Sequence, residues 1–148
     1  MRAWTTHTED ETRALGAALA RELAPDGVLL LSGDLGAGKT VLARGVAEGL
    51  GIDPDEVQSP TFSLIREHGL MGGRLIHIDH YRLDSGEAAA LGLDELLAGP
   101  GVKVVEWAER LPFPVPGALT LRLARRAAGG REITEETTQE PGEFNEDS

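Results

Sequence analysis

The sequence has no cysteine among its 148 residues. That excludes disulfides, thiol nucleophiles and cysteine-ligated zinc. It has no apolar run approaching the length that crosses a bilayer. Its first residues, Met1-Arg2-Ala3-Trp4-Thr5-Thr6-His7, lack the apolar core of an export signal. The expected location is therefore cytoplasmic, with no membrane partner. There is no H-E-x-x-H, so a zinc hydrolase has no support, and no G-x-S-x-G nucleophile turn. Positive charge is also scarce: 14 Lys and Arg face 25 Asp and Glu, a formal net charge of −11. Seven of the acids lie between Glu132 and Asp147, where no Lys or Arg occurs. An autonomous nucleic-acid binder would normally show a basic face. A local patch around Arg122, Arg125, Arg126 and Arg131 remains open.

What is present begins with eight residues, Gly33-Asp34-Leu35-Gly36-Ala37-Gly38-Lys39-Thr40, which match G-x-x-x-x-G-K-[ST]. The preceding run Gly27–Ser32 is apolar and short, as a buried parallel strand would be. The following stretch repeats Val41, Leu42, Val46 and Leu50 near helical spacing, and Gly51 suits a helix stop. Strand, glycine loop and helix is the order that binds phosphate. A helix start presents N–H groups and a partial positive charge, and glycines let the loop curl its amides inward. Asp34, Leu35, Gly36, Ala37 and Gly38 would line the phosphates, Lys39 would reach the terminal ones, and the Thr40 hydroxyl would ligate Mg²⁺.

Around this centre the pattern predicts an α/β protein with a P-loop NTPase fold. A central mixed, mostly parallel sheet is flanked by helices and carries a β-hairpin insert. Thr8 caps a first helix with Glu11 as capping-box partner, and Leu15, Ala18, Leu19 and Leu23 form its apolar stripe. Ser59–Glu67 and Arg74–Asp79 read as two strands of an antiparallel hairpin around a glycine turn. Short helices follow at Ser85–Leu91 and Leu93–Leu97. Val102–Trp107 is a core strand ending on an acid. Ala118–Leu123 alternates as a strand with one wet face, and Gly129-Gly130 turns it back through Arg131–Thr134. The P-loop ATPase domain is expected over residues 1–134, followed by a disordered acidic tail over 135–148.

A P-loop needs acids at strand ends, where the ligand crevice of an open α/β sheet lies. Asp79 and Glu106 both end strands. Glu106 would stand beside Thr40, whereas Asp79 requires its own hairpin strand to run toward the phosphates. Either acid could instead be a helix cap or a solvated loop acid. Thr61, after the P-loop helix, is placed for a nucleotide-sensing switch loop or simply opens a strand. His77 and His80 flank Asp79, either as a metal site or as packed, hydrogen-bonded side chains. Tyr81 and Arg82 would order the nucleotide loop or a partner surface. Trp107 is core or lid.

Four pieces taken together resemble the TsaE (YjeE) family, the small ATPases of bacterial tRNA threonylcarbamoyladenosine biosynthesis. They are Gly33–Thr40 (GDLGAGKT), Ser59–Phe62 (SPTF), His77–Leu83 (HIDHYRL) and Glu106-Trp107 (EW), in the family's order. The resemblance implies an ATPase that binds ATP and Mg²⁺ and resets a complex with the TsaB and TsaD proteins. It would meet tRNA only indirectly, through those partners, since TsaD performs the transfer. It also implies Thr40 and Glu106 as metal ligands, with Lys39, Asp79, Glu106 and Thr61 as the catalytic set. Thr8 with Glu9, and Arg131, would contact nucleotide. Val41 departs from the family, many members of which carry a second Thr there; the acidic extension departs too.

The residues also admit a small-molecule kinase on the same fold, although the segment Asp84–Gly99 is short for an acceptor lid. A GTPase would need N-K-x-D, which is absent. A module that holds nucleotide without turnover is the remaining alternative. No arginine finger or water-positioning glutamine is evident beside the loop, so hydrolysis by the chain alone is expected to be slow.

Overall fold

The computed structural model describes residues 1–33, 37–53, 65–68, 75–79, 92–106, 108 and 115–136. Its centre is β2 (Val28–Gly33), from which Leu29, Leu30 and Leu31 are buried on alternating faces. A strand buried on both sides has to be apolar at every position, as this run is. It lies between β5 (Val102–Glu106) and β6 (Leu119–Arg125), parallel to both. Beyond β5 come β4 (Leu75–Asp79), parallel, and β3 (Ile65–His68), antiparallel to β4. Beyond β6 come β7 (Arg131–Glu136) and β1 (Ala3–Thr6), each antiparallel to its neighbour. The sheet order is β1-β7-β6-β2-β5-β4-β3, and among the described strands only β3 and β7 run against the rest. The mixed, mostly parallel sheet and the β3–β4 hairpin are as the pattern predicted.

Helices α1 (Glu9–Leu23) and α2 (Lys39–Gly49) cover one face. Under them Leu29, Leu31, Val104, Leu121, Leu123 and Ile133 form one core cluster. The other face is smaller: Leu30, Ile76, Ile78 and Val105 pack with Leu97 of α3 (Leu93–Ala98). The two helices approach at backbone distance. A methyl on Gly45 would stand 2.1 Å from the Arg13 carbonyl oxygen, and one on Gly16 2.4 Å from that of Leu42. Only glycine admits that contact. Helix α1 is capped as expected, with Thr8 Oγ1 accepting from Glu11 N–H at 3.1 Å and Glu11 Oε1 from His7 N–H at 2.7 Å.

The structure corrects three expectations. The buried stripe of α1 is Thr12, Gly16, Leu19, Ala20 and Leu23; Leu15 is half-buried and Ala18 faces outward. The stripe follows residues four and three apart, and small or polar Thr12 and Gly16 hold core positions because the helices are so close. Strand β1 was not anticipated; it uses Trp4 and Thr6 on its inner side and pairs in register with β7. Finally, β7 runs through Glu135 and Glu136, beyond the boundary expected at 134. Glu136 pairs with Thr120 of β6, and Arg2 holds Glu135. Glu135 N–H donates to the Arg2 carbonyl at 2.9 Å, and Arg2 N–H and Nε–H donate to Glu135 Oε1 at 3.1 and 3.0 Å. The expected helix over 85–91, the start of the first hairpin strand and residues 137–148 lie outside the described residues.

Candidate functional site

All the described site candidates lie at the carboxyl end of the parallel strands. Gly33 closes β2 with φ 135°, and a Cβ there would sit 2.2 Å from the Leu123 carbonyl oxygen. The chain can therefore leave the sheet at this point only as glycine. Gly38 is the N-cap of α2 at φ 101°, ψ 13°, and no side chain caps that helix start. Its amide end points into the crevice and favours an anion. Ala37 is fully buried beneath the turn. Lys39 is 5% exposed, and its Nζ donates to the Gly33 carbonyl at 2.6 Å. The ammonium thus spans the loop it belongs to.

Thr40 and Glu106, 66 residues apart in sequence, meet here. Thr40 Oγ1 lies 2.8 Å from Glu106 Oε1 and 3.0 Å from Oε2. Glu106 is 3% exposed. A hydroxyl and a carboxylate converging in this way offer hard oxygen donors, the set that suits Mg²⁺. Register carries Asp79 to the same level: Leu31 of β2 pairs with Glu106 of β5, and Glu106 with Asp79 of β4. The condition set on Asp79 is therefore met, because β4 is the hairpin strand that runs with β5.

Arg131 and Thr8 arrive from the other side. Thr6 pairs with Arg131 across β1 and β7. The Gly130 turn packs so tightly against this end of β1 that a Cβ would meet the Thr6 carbonyl oxygen at 2.3 Å. The Arg131 side chain then reaches over Gly38, its Nε 3.7 Å from where a Gly38 Cβ would stand. That Nε is buried with no hydrogen-bond partner among the described residues, while the same guanidinium donates to the Gly130 carbonyl at 3.0 Å. Thr8 begins α1 at this end of the sheet. Its oxygen accepts the cap bond, which leaves its O–H able to donate. Asp34, Leu35, Gly36, Thr61, His80, Tyr81, Arg82 and Trp107 lie outside the described residues.

A family model described as threonylcarbamoyl adenosine biosynthesis protein TsaE matches residues 6–133. The chain belongs to the TsaE family. The TsaE protein of Bacillus subtilis, named for tRNA threonylcarbamoyladenosine biosynthesis, is 43% identical over 132 residues, covering 88% of this chain and 82% of that protein. Its Treponema pallidum namesake is 41% identical over 132 residues, covering 87% and 96%. The crystal structure of Bacillus subtilis YdiB superimposes with a TM-score of 0.72 at 37% identity, over 93% of this chain and 86% of that one. The P-loop NTPase fold read from the glycine motif is the fold of this family member.

Sequence reasoning missed one contact in the site. His77 is fully buried, and its Nε2 lies 2.5 Å from Glu106 Oε2. A hydrogen-bonded histidine was among the alternatives, but its partner, 29 residues away on another strand, was not foreseen. No local signal announces it, because it depends on β4 and β5 being neighbours.

Proposed function

We propose that this protein is a Mg²⁺-dependent ATPase of tRNA threonylcarbamoyladenosine biosynthesis, acting with TsaB and TsaD proteins. The observation that carries the reading is the Thr40–Glu106 contact at the mouth of the glycine loop. It joins the start of the phosphate-facing helix to the acid of the neighbouring strand. The names of the relatives support the pathway, and the missing N-K-x-D favours adenine over guanine.

Each residue has a share in the work. The first turn of α2 and the loop amides receive the β- and γ-phosphates. Lys39 trades the Gly33 carbonyl for a phosphate oxygen, a short swing for an ammonium already in the loop. Thr40 and Glu106 would hold the cation, which would supply the charge neutralisation that phosphoryl transfer requires. Asp79 stands one strand farther out to orient the attacking water, and Thr61 belongs to the switch loop. Arg131 flanks Gly38 from the opposite side, and it and Thr8 at the start of α1 would contact the rest of the nucleotide. The partners complete the catalytic set and make turnover conditional on the complex.

The test is ATP hydrolysis by the full chain with and without TsaB and TsaD. Slow turnover alone and faster turnover in the complex is expected. Lys39→Ala and Glu106→Ala should each lower the complex-dependent rate by about 100-fold or more. Unchanged turnover in Lys39→Ala would remove the loop from the mechanism. Faster phosphate transfer to a metabolite than to water would make the protein a kinase.

A further inference from the structure

His77 sits in the row of Leu29 and Val104, under α2, with no exposure to solvent. Its register partners are Val104 on β5 and Arg66 on β3. A buried imidazole without a partner costs on the order of 1–3 kcal/mol. Its partner is Glu106, one row nearer the carboxyl end on the adjacent strand, with Nε2 2.5 Å from Oε2. The carboxylate is thereby gripped from two elements. Thr40 reaches it from the start of α2, and His77 reaches it from β4. A carboxylate only accepts, so the Nε2–H of His77 donates.

We propose that His77 is a positioning residue for the divalent cation, holding the Glu106 carboxylate in the orientation in which it and Thr40 receive the metal. The proposal rests on the Mg·ATP reading of the site. Mg²⁺ selects oxygen, so the imidazole stays outside the coordination shell. Partners of this kind fix a ligand's direction, and their loss typically weakens metal binding about 10–100-fold. The helix N-terminus and Lys39 hold the phosphates independently of His77. Its effect is therefore confined to the metal.

The full chain is titrated with Mn²⁺ in the presence of a non-hydrolysable ATP analogue, and separately with the analogue in EDTA. His77→Leu keeps the volume and removes the donor. His77→Gln restores a donor at similar reach. The expected result is Mn²⁺ binding about 10–100-fold weaker in His77→Leu, metal-free nucleotide affinity unchanged, and most of the loss recovered in His77→Gln. Parental Mn²⁺ affinity in His77→Leu overturns the proposal, as does an equal loss of metal-free nucleotide binding or a Gln variant no better than Leu. Should the Leu variant not fold, ring-¹⁵N spectra of the unaltered protein decide. A proton on Nε2, shifted when Mg²⁺ and analogue are added, supports the role; an Nδ1–H tautomer overturns it. A parent chain that takes up no Mn²⁺ with the nucleotide ends both readings, whereas an intact parent with an unaffected Leu variant ends only this one.

Discussion

Two buried lysines show how differently one side chain can be used. Lys39 crosses its own glycine loop to the Gly33 carbonyl at the carboxyl end of the sheet. Lys103 is 1% exposed at the amino end, where Nζ donates to the Asp26 carbonyl at 2.8 Å and the Gly99 carbonyl at 2.5 Å. Asp26 Oδ1 also accepts from Gly101 N–H at 2.8 Å. The ammonium therefore ties the turn before β2 to the turn before β5. Lys103→Met keeps the aliphatic stem and abandons the carbonyls. Chemical denaturation should register a loss of about 1–3 kcal/mol, with nucleotide affinity unaltered because the site lies at the other end of the strands. A matching loss of nucleotide affinity would contradict this separation. Only Lys39 is marked in the sequence, by the glycines before it and the threonine after it. Lys103 reads as an ordinary polar position in an apolar strand, since one of the two carbonyls that satisfy it comes from a turn 77 residues away.

The α1–α2 pair sets the orientation of the phosphate-facing helix. Its seam is built from Gly16, Gly45 and Gly49 against the facing backbone, Gly49 lying such that a methyl would stand 2.6 Å from the Ala17 carbonyl oxygen. Helix propensity and packing make opposite predictions here. As an isolated helical position, Gly45→Ala should stabilise by about 1 kcal/mol. In the fold, the added methyl meets the Arg13 carbonyl at 2.1 Å and must push the helices apart. Overpacking of this kind costs about 1–3 kcal/mol. Equilibrium unfolding of Gly45→Ala should show a net loss, and any gain would mean that the helices move apart at little cost. Because α2 begins at Lys39, the same variant should also weaken nucleotide binding.

At the scale of the whole molecule, the first and the last described strands, β1 and β7, pair to complete one edge of the sheet. Arg2 is the fastener. It lies 5.2 Å above the Trp4 ring, donates to Glu22 at 2.8 Å, and binds Glu135. Hydrogen bonds from Arg2 hold the Glu135 carboxyl below the usual carboxylate range. A depressed carboxyl adds stability above its unfolded pKa and loses it as pH falls through the folded one. Glu135→Gln should thus melt below the parent at neutral pH, by a small margin because the pair is at the surface. The two melting curves should converge in acid. A gap that persists there would assign the effect to shape and not charge. The sequence by itself determined the glycine loop with its strand and helix, the hairpin, the cap at Thr8 and the apolar strands, because each is set by residues close in the chain. Only the tertiary structure decided that Thr40, Glu106 and His77 share one carboxylate, that Asp79 stands level with Glu106, and that Arg131 covers Gly38. Strand order and register put those groups together, and neither is written in any local stretch of residues. The same reason hid β1 and the last two residues of β7: a four-residue edge strand and a pair of glutamates carry no pattern until a partner strand and Arg2 supply their bonds.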